Sequence, residues 1–505
     1  MQPTLARAWT SARAAPLVWI APLLFVLSVP QAPLFSNNQT TKFLHGAASA
    51  GYGLLAADWA ANTLDPLPVF STLVRALFEL RATWLVYPAF AALLIVYYVA
   101  LLRIARRHFP ALQNPRVLLV FLGLFLLLNK TGTAFSMDTG FAGQYLLGKY
   151  FQPCVFGAFL LLGLERGLAG RFVPASAALA AATAMHPTYV PAAVILFVAL
   201  AALNWRQGSR ARALVLGGLI FVPVVAALVI HHAWLFGPTD AATWQQSMAI
   251  LARDRIPGHA QVARWFDPSD GARMLVMLAG IVLVRREPLG WVLGALFVPM
   301  TVSIGVLALV PIDWLSFTTP WRLSVVIMPV SATLLAAALA SRVGRLAAVA
   351  HTGGIARHLP LVAIAGLVVW GVVQQVRLAQ RHYAAPEMDV AAFARAHAEA
   401  GQTYLVPPAE KRFNRFRLHA GVPIVVNLKS HPYKDTEVLE WHRRVTDAQA
   451  LYQSSADTRC QLLEQVRQRY RVTHGVFAAA DEPACEGWQP LYANGHYRVL
   501  GYAAG

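Results

Sequence analysis

Long apolar runs decide what this chain can become. Stretches near or beyond 18 residues recur through its first 380 positions, each closed by Arg, Pro or Gly. Examples are "WLVYPAFAALLIVYYVALL" and "ALVLGGLIFVPVVAALVI". The hydrocarbon core of a bilayer takes about 20 apolar residues per helix. Only 13% of the 505 residues are charged, against about 25% in soluble domains. The chain therefore reads as an α-helical polytopic membrane protein. Spans are predicted at 15–32, 84–102, 117–135, 152–165, 172–186, 188–204, 213–233, 272–284, 288–310, 323–341 and 359–377, about eleven in all. The N-terminal stretch has the charge of a signal peptide but a longer apolar part, and reads as an uncleaved first helix.

The formal net charge is +18. Arginines supply most of it and cluster at span ends, so membrane topology accounts for them and nucleic-acid binding is not indicated. Arg7 and Arg13 precede the first span. Arg103, Arg106, Arg107 and Arg116, then Arg166 and Arg171, then Arg206, Arg210 and Arg212 follow in alternate connectors. Arg285 and Arg286, then Arg342, Arg345 and Arg357, continue the series. With eleven spans, all face the cytoplasm. The opposite side receives the long first loop 33–83, the polar loop near 129–150 and the tip "MHPTY". It also receives the loop 234–271, the turn "PIDWLSFTTPWR" and everything after about 380. The predicted location is a bacterial inner membrane, with an extracytoplasmic C-terminal domain.

That division gives two domains, 1–380 in the membrane and 381–505 outside it. The second has dispersed charge and no long apolar run. "EMDVAAFARAHAEAG", "DTEVLEWHRRVTDAQALY" and "TRCQLLEQVRQRY" have helical periodicity. "TYLVP", "PIVVNL" and "THGVFAA" read as strands, and "WQPLYANGHYRVLGY" as a hairpin turning at Asn494-Gly495. A small α/β domain results. Cys460 and Cys485 both lie in it; an oxidising compartment would let them pair, and spacing leaves the question open. No phosphate-loop motif, dinucleotide fingerprint or Cys/His metal cluster is present, so ATP-driven transport has no support. Transport in general is disfavoured by the lack of repeats and of Asp, Glu or Lys at mid-span.

Candidate chemistry concentrates in the outer loops. Asp58 lies among segments that read as amphipathic surface helices, near the lipid headgroups. Its carboxylate has two readings: general base or divalent-cation ligand, or cap of a helix that starts at Trp59. Asp65 precedes Pro66, a turn or helix-start signal, and stands second as catalytic acid. His186, at the outer end of a span, could donate to a phosphate or hold a loop tip; His45 shares the loop of Asp58. Lys149 and Arg322 are cations where the positive-inside rule predicts few, and an arginine there can clamp a phosphate. The region 411–441 carries three arginines and three lysines among aromatics, including Arg417 and Lys429. It could bind an anion or sugar, or dock on headgroups.

This plan resembles that of GT-C-type glycosyltransferases. The shared features are an odd span count, acids in a long first outer loop and an outer C-terminal α/β domain. "FLHGAASAGYGLLAADWAANTLDPLPVFSTLV", "MHPTYV" and "FRLHAGVPIVVNLKSHPYKDTEVLEWHRR" further resemble segments of an uncharacterised bacterial membrane family of that build. The resemblance implies transfer of a sugar from a polyprenyl-phosphate carrier to an envelope acceptor. It implies Asp58 as base or as ligand of Mg or Mn, with Asp65 behind it. His45, Lys149, His186, Arg322, Arg417 and Lys429 would bind substrate. The chain departs from that class in lacking an adjacent acid pair and the tryptophan-rich acceptor motif. A non-enzymatic scaffold or transporter of polysaccharide assembly, or a degenerate transferase fold that only binds, are the alternatives.

Overall fold

The structure is a computed structural model that describes residue 17 and residues 19–130, 136–208, 211–349 and 358–503. Arg7, Arg13, Arg210 and Arg357, used in the charge argument, lie outside the described residues. The chain is mostly helical, with one small sheet near its C-terminus. It divides into two compact units. The first comprises 1–31, 86–229 and 256–376; the second comprises 32–85, 230–255 and 377–505.

Six helical segments among the described residues are long and apolar enough to cross a membrane. They are Thr83–His108, Pro187–Arg206, Ala211–Phe236, Pro288–Leu309, Asp313–Arg345 and Leu359–Tyr383. The predicted count of eleven is therefore not supported. Helices do occur at the other five places, but they are short. Pro115–Leu128 and Phe172–Met185 have 14 residues each and Pro268–Leu283 has 16. At about 1.5 Å per residue such helices reach roughly 21–24 Å, short of a core of about 30 Å. Ala158–Leu168 is shorter still, and the first helix is described continuously over Trp19–Ser28. An apolar window in sequence counts loop residues such as those at 129–130 that the backbone does not carry into the helix.

Surface composition agrees with a lipid environment. Leu219, Ile220 and Val222 on one long helix, and Val298 and Val302 on another, are exposed. Trp19, Trp205, Trp234 and Trp291 are exposed at helix ends, where indole rings favour the membrane–water interface. The helix starting at Ser324 is the opposite case: Val325–Met328 and Val330 are buried, so it forms the centre of the first unit.

Connectors of the first unit meet in two groups. Arg103 and Arg166 flank Glu165, Arg107 donates to the Leu168 carbonyl, and His108 pairs with Glu287. Loops 136–151, 186–189 and 319–324 form the other group, described below.

In the second unit, strand β1 (Tyr404–Leu405) pairs in parallel with β2 (His474–Ala478). β2 pairs antiparallel with β4 (Tyr497–Tyr502), and β4 with β3 (Trp488–Ala493), giving the order β1-β2-β4-β3. The predicted hairpin is β3–β4, whose Asn494 side chain accepts from the amides of His496 and Tyr497. The three predicted helices are Pro386–Ala396, Asp435–Gln453 and Ala456–Tyr470. Val390, Phe413, Phe416, Val476 and Val499 belong to a common core. "PIVVNL" forms no strand, only a bridge between Ile424 and Tyr404. Pro423 and Val425 make the backbone bonds to Tyr404, and the Ile424 amide donates to Asp58, 366 residues away. Cys460 and Cys485 form a disulfide between the last helix and the approach to β3; Cys154 is free of any disulfide.

Candidate functional site

Asp58 is held by three anchors in the second unit. The backbone first turns at Gly53 (φ +58) and runs against Gly421 (φ +69). The Leu54 amide donates to the Gly421 carbonyl at 2.7 Å. A Cβ on Gly53 would lie 2.3 Å from that same oxygen, so only glycine permits the approach. Asp58 then meets Arg417, with Oδ2 at 2.9 Å from Nε. Oδ2 also accepts from the Ile424 amide at 3.0 Å, and Oδ1 from the Ala61 amide at 3.1 Å. Further along, the Leu64 amide donates to Glu437 at 3.0 Å.

Asp58 is 0% exposed and Arg417 1%. Burial lowers the Arg417 pKa, and the Asp58 charge works against that shift. The expected position near lipid headgroups is therefore corrected: the carboxylate is enclosed, and no lone pair faces an incoming acceptor. The capping reading describes one of its two oxygens, through Ala61. A divalent cation does not fit either, because the neighbouring group is a guanidinium. Among the described residues no cluster of three or more His, Cys, Asp or Glu could hold a metal. Arg417, expected to bind substrate, is the partner of Asp58.

Asp65 caps its own turn, with Oδ1 accepting from the Leu67 amide at 2.8 Å. Helix Pro68–Glu79 follows at once. The Nδ1 of His45 lies 3.9 Å from Asp65 Oδ1, and its Nε2 is 3.1 Å from the Thr63 carbonyl oxygen. Burial lowers the His45 pKa, with Asp65 acting in the other direction. His45 and Asp65 line a small pocket with Lys42, His431 and Tyr433.

Two predicted residues come together in the first unit. Arg322 Nη1 donates to the Thr188 hydroxyl, and Nη2 to Gln144 Oε1 at 2.6 Å. The Thr188 hydroxyl also contacts His186 Nδ1 at 2.9 Å. One network thus joins His186 and Arg322 across three loops. Gln144 belongs to the loop that carries Asp138, an acid the sequence argument did not single out. Asp138 accepts from the Ser136 hydroxyl and from the Gly148 amide, the latter at 3.1 Å. Burial raises its pKa, and the Ser136 hydrogen bond opposes that shift. Its signal in sequence was modest: the acid in "SMDTGFAGQY", a loop rich in small and polar residues. Lys149 follows Gly148 in the same loop but is outside this network.

Backbone strain marks the same loops. Ala142 (φ +54) and Thr319 (φ +50) are left-handed without being glycine. Such residues cost on the order of 1 kcal/mol or more and persist where the surroundings hold them. Here the Ala142 carbonyl faces His259 Nδ1, and the Phe141 amide donates to Ser324 Oγ at 2.9 Å.

The fold defines a predominantly helical protein with, among the described residues, six helices long and apolar enough to cross a membrane, and a small α/β unit that takes in the first long loop. Residues 385–448 match the model of a domain of unknown function, DUF6798. None of the curated proteins matches the chain. The matched stretch contains Arg417, Asp435 and Glu437. These hold Asp58, Thr239 and Leu64 respectively, so this domain supplies the anchors for two segments remote in sequence.

Proposed function

We propose that the chain is a membrane-embedded transferase of the GT-C plan. It would move a sugar from a polyprenyl-phosphate carrier to an envelope acceptor at the outer leaflet of a bacterial inner membrane. The observation that supports this reading is the Arg322–Thr188–His186 network beside the Asp138 loop. A guanidinium and an imidazole on adjacent loops suit the phosphate of such a carrier. Asp138 is buried as Asp58 is, at 4% exposure, but has no cation against it in the described network, so it keeps a raised pKa that suits proton transfer once a substrate displaces its Ser136 or Gly148 partner. In this reading the acid role passes from Asp58 to Asp138, while Asp58 and Arg417 hold the second unit together. The Cys460–Cys485 disulfide accords with an oxidising, extracytoplasmic location for that unit.

A second reading has one specific observation behind it. Asp58, the acid that the resemblance puts in the catalytic position, is consumed by an ion pair, as in a fold retained only for binding. The two are separated by comparing envelope glycolipids and glycoproteins by mass spectrometry with the gene intact, deleted, or carrying Arg322→Gln or Asp138→Asn. The transferase reading expects one glycan to vanish in the deletion and in both variants at normal protein abundance. Unchanged glycans in all three would refute it.

A further inference from the structure

A second cluster of cations lies wholly in the second unit. Arg255 Nη2 donates to the Lys429 carbonyl at 2.8 Å. Lys429 Nζ donates to Asn37 Oδ1 at 2.6 Å. Lys42 Nζ donates to the Tyr433 hydroxyl at 3.2 Å and sits 5.4 Å from that ring's centre. His431 lies between these groups, its ring 5.0 Å from that of Tyr433. Three chain segments far apart in sequence thus deliver Lys42, Arg255, Lys429 and His431 to one place.

Lys429 and His431 feel the neighbouring cations as repulsion. Burial first, then Arg255, Lys42 and Lys411, lower the Lys429 pKa to about 8. Burial also drives the His431 pKa well below its usual value, with Arg255 and Lys42 adding to the effect. The Arg255 pKa is lowered by burial as well. None of the three long cations forms an ion pair with a carboxylate among the described residues, whereas Lys434 nearby has Asp435 at 3.3 Å. Arg255 Nε and His431 Nδ1 are buried without a hydrogen-bond partner. Gathering like charges away from water costs stability that hydrogen bonds to neutral partners offset only in part. An oxyanion would return it: a phosphate offers three acceptor oxygens and up to two negative charges.

We propose that Lys42, Arg255, Lys429 and His431, with the Tyr433 hydroxyl, form an anion site that binds a phosphate group. Lys42, His431 and Tyr433 also line a small pocket, together with His45 and Asp65. This site is separate in residues from the His186–Arg322 network, and stands whether or not the chain is a transferase. The phosphate could be that of a lipid or of a soluble ester; the binding chemistry is the same.

The test uses the full-length protein in phosphatidylcholine nanodiscs. Thermal unfolding is followed while inorganic phosphate or pyrophosphate is added, with chloride matching ionic strength. A parallel set of nanodiscs contains phosphatidic acid. A rise in melting temperature with soluble phosphate assigns the site to a soluble ester; a rise only with phosphatidic acid assigns it to a lipid. Lys429→Gln should weaken phosphate binding about tenfold, the usual worth of one charge-assisted hydrogen bond. Without ligand, the same variant should melt no lower than the parent, because it relieves repulsion. Lys429→Arg should keep the response. No phosphate effect in either kind of nanodisc, or an equal effect in Lys429→Gln, would overturn the proposal. So would a lower ligand-free melting temperature in Lys429→Gln, which would make Lys429 a structural contact.

Discussion

Removing the Asp58 carboxylate should loosen the second unit before it affects any chemistry. The Asp58–Arg417 pair is enclosed, at 0% and 1% exposure. Asp58→Ala leaves the Arg417 guanidinium buried with no counter-charge, a change that costs about 3–5 kcal/mol. It also strips acceptors from the Ile424 and Ala61 amides. Each unsatisfied buried amide adds about 1–3 kcal/mol, though the contributions share one site and do not sum. A loss of about 5 kcal/mol is comparable to the whole stability of many domains. Asp58→Asn keeps an acceptor oxygen and should cost less than Asp58→Ala. The double variant Asp58→Asn, Arg417→Met removes both charges and should recover much of the loss, since apolar replacement of a buried pair is often near neutral. The assay is hydrogen exchange on the full chain, read at the amides of Ile424 and Ala61, alongside thermal unfolding. Unchanged exchange and an unchanged melting temperature in Asp58→Ala would refute the structural role. Recovery of fold in the double variant together with lost glycan transfer would restore Asp58 as a catalytic residue.

Three other outcomes are expected. Gly53→Ala should destabilise the second unit by about 1–3 kcal/mol, because its Cβ meets the Gly421 carbonyl and its φ is positive; Gly51→Ala, which meets no neighbouring atom but also has positive φ, is the control for strain alone. Cys460→Ser with Cys485→Ser should cost about 3.5 kcal/mol by loop entropy for a separation of 25 residues, visible as a lower melting temperature that matches the reduced parent. His419 has its pKa lowered to about 3 by burial first, then by His382, Arg415 and Arg395. The unfolded chain takes up that proton near pH 6.5 and the folded one does not, so its contribution is whole above about 6.5 and is lost progressively toward pH 3. Melting curves across that window should show the decline, and His419→Asn should flatten it.

Much of the membrane half was legible in the sequence because apolar length and arginine placement are local properties. Each predicted span holds a helix, and the loops predicted to share a side are hydrogen-bonded to one another through Gln144, Arg322 and Thr188. The count failed where a window averaged helix and loop together, as around residues 117–135. In the tail, helices and hairpin followed from periodicity and the Asn-Gly turn. "PIVVNL" did not, since its β-forming composition says nothing about an amide donating to a carboxylate 366 residues away.

The candidate sites divide in the same way. Composition and periodicity by themselves determined that this chain is built of membrane-type helices with a small α/β appendage, and that polar residues of note crowd into a few loops. They could not determine which of those residues meet. Asp58 and Arg417 each looked like a free functional group, and only the tertiary structure decided that they neutralise each other. Lys429 already read as a substrate-binding cation, and only the tertiary structure brought Lys42 and Arg255 to it. The physical reason is that burial and pairing set the free energy of a charge, and both depend on contacts between segments hundreds of residues apart, which local sequence does not encode.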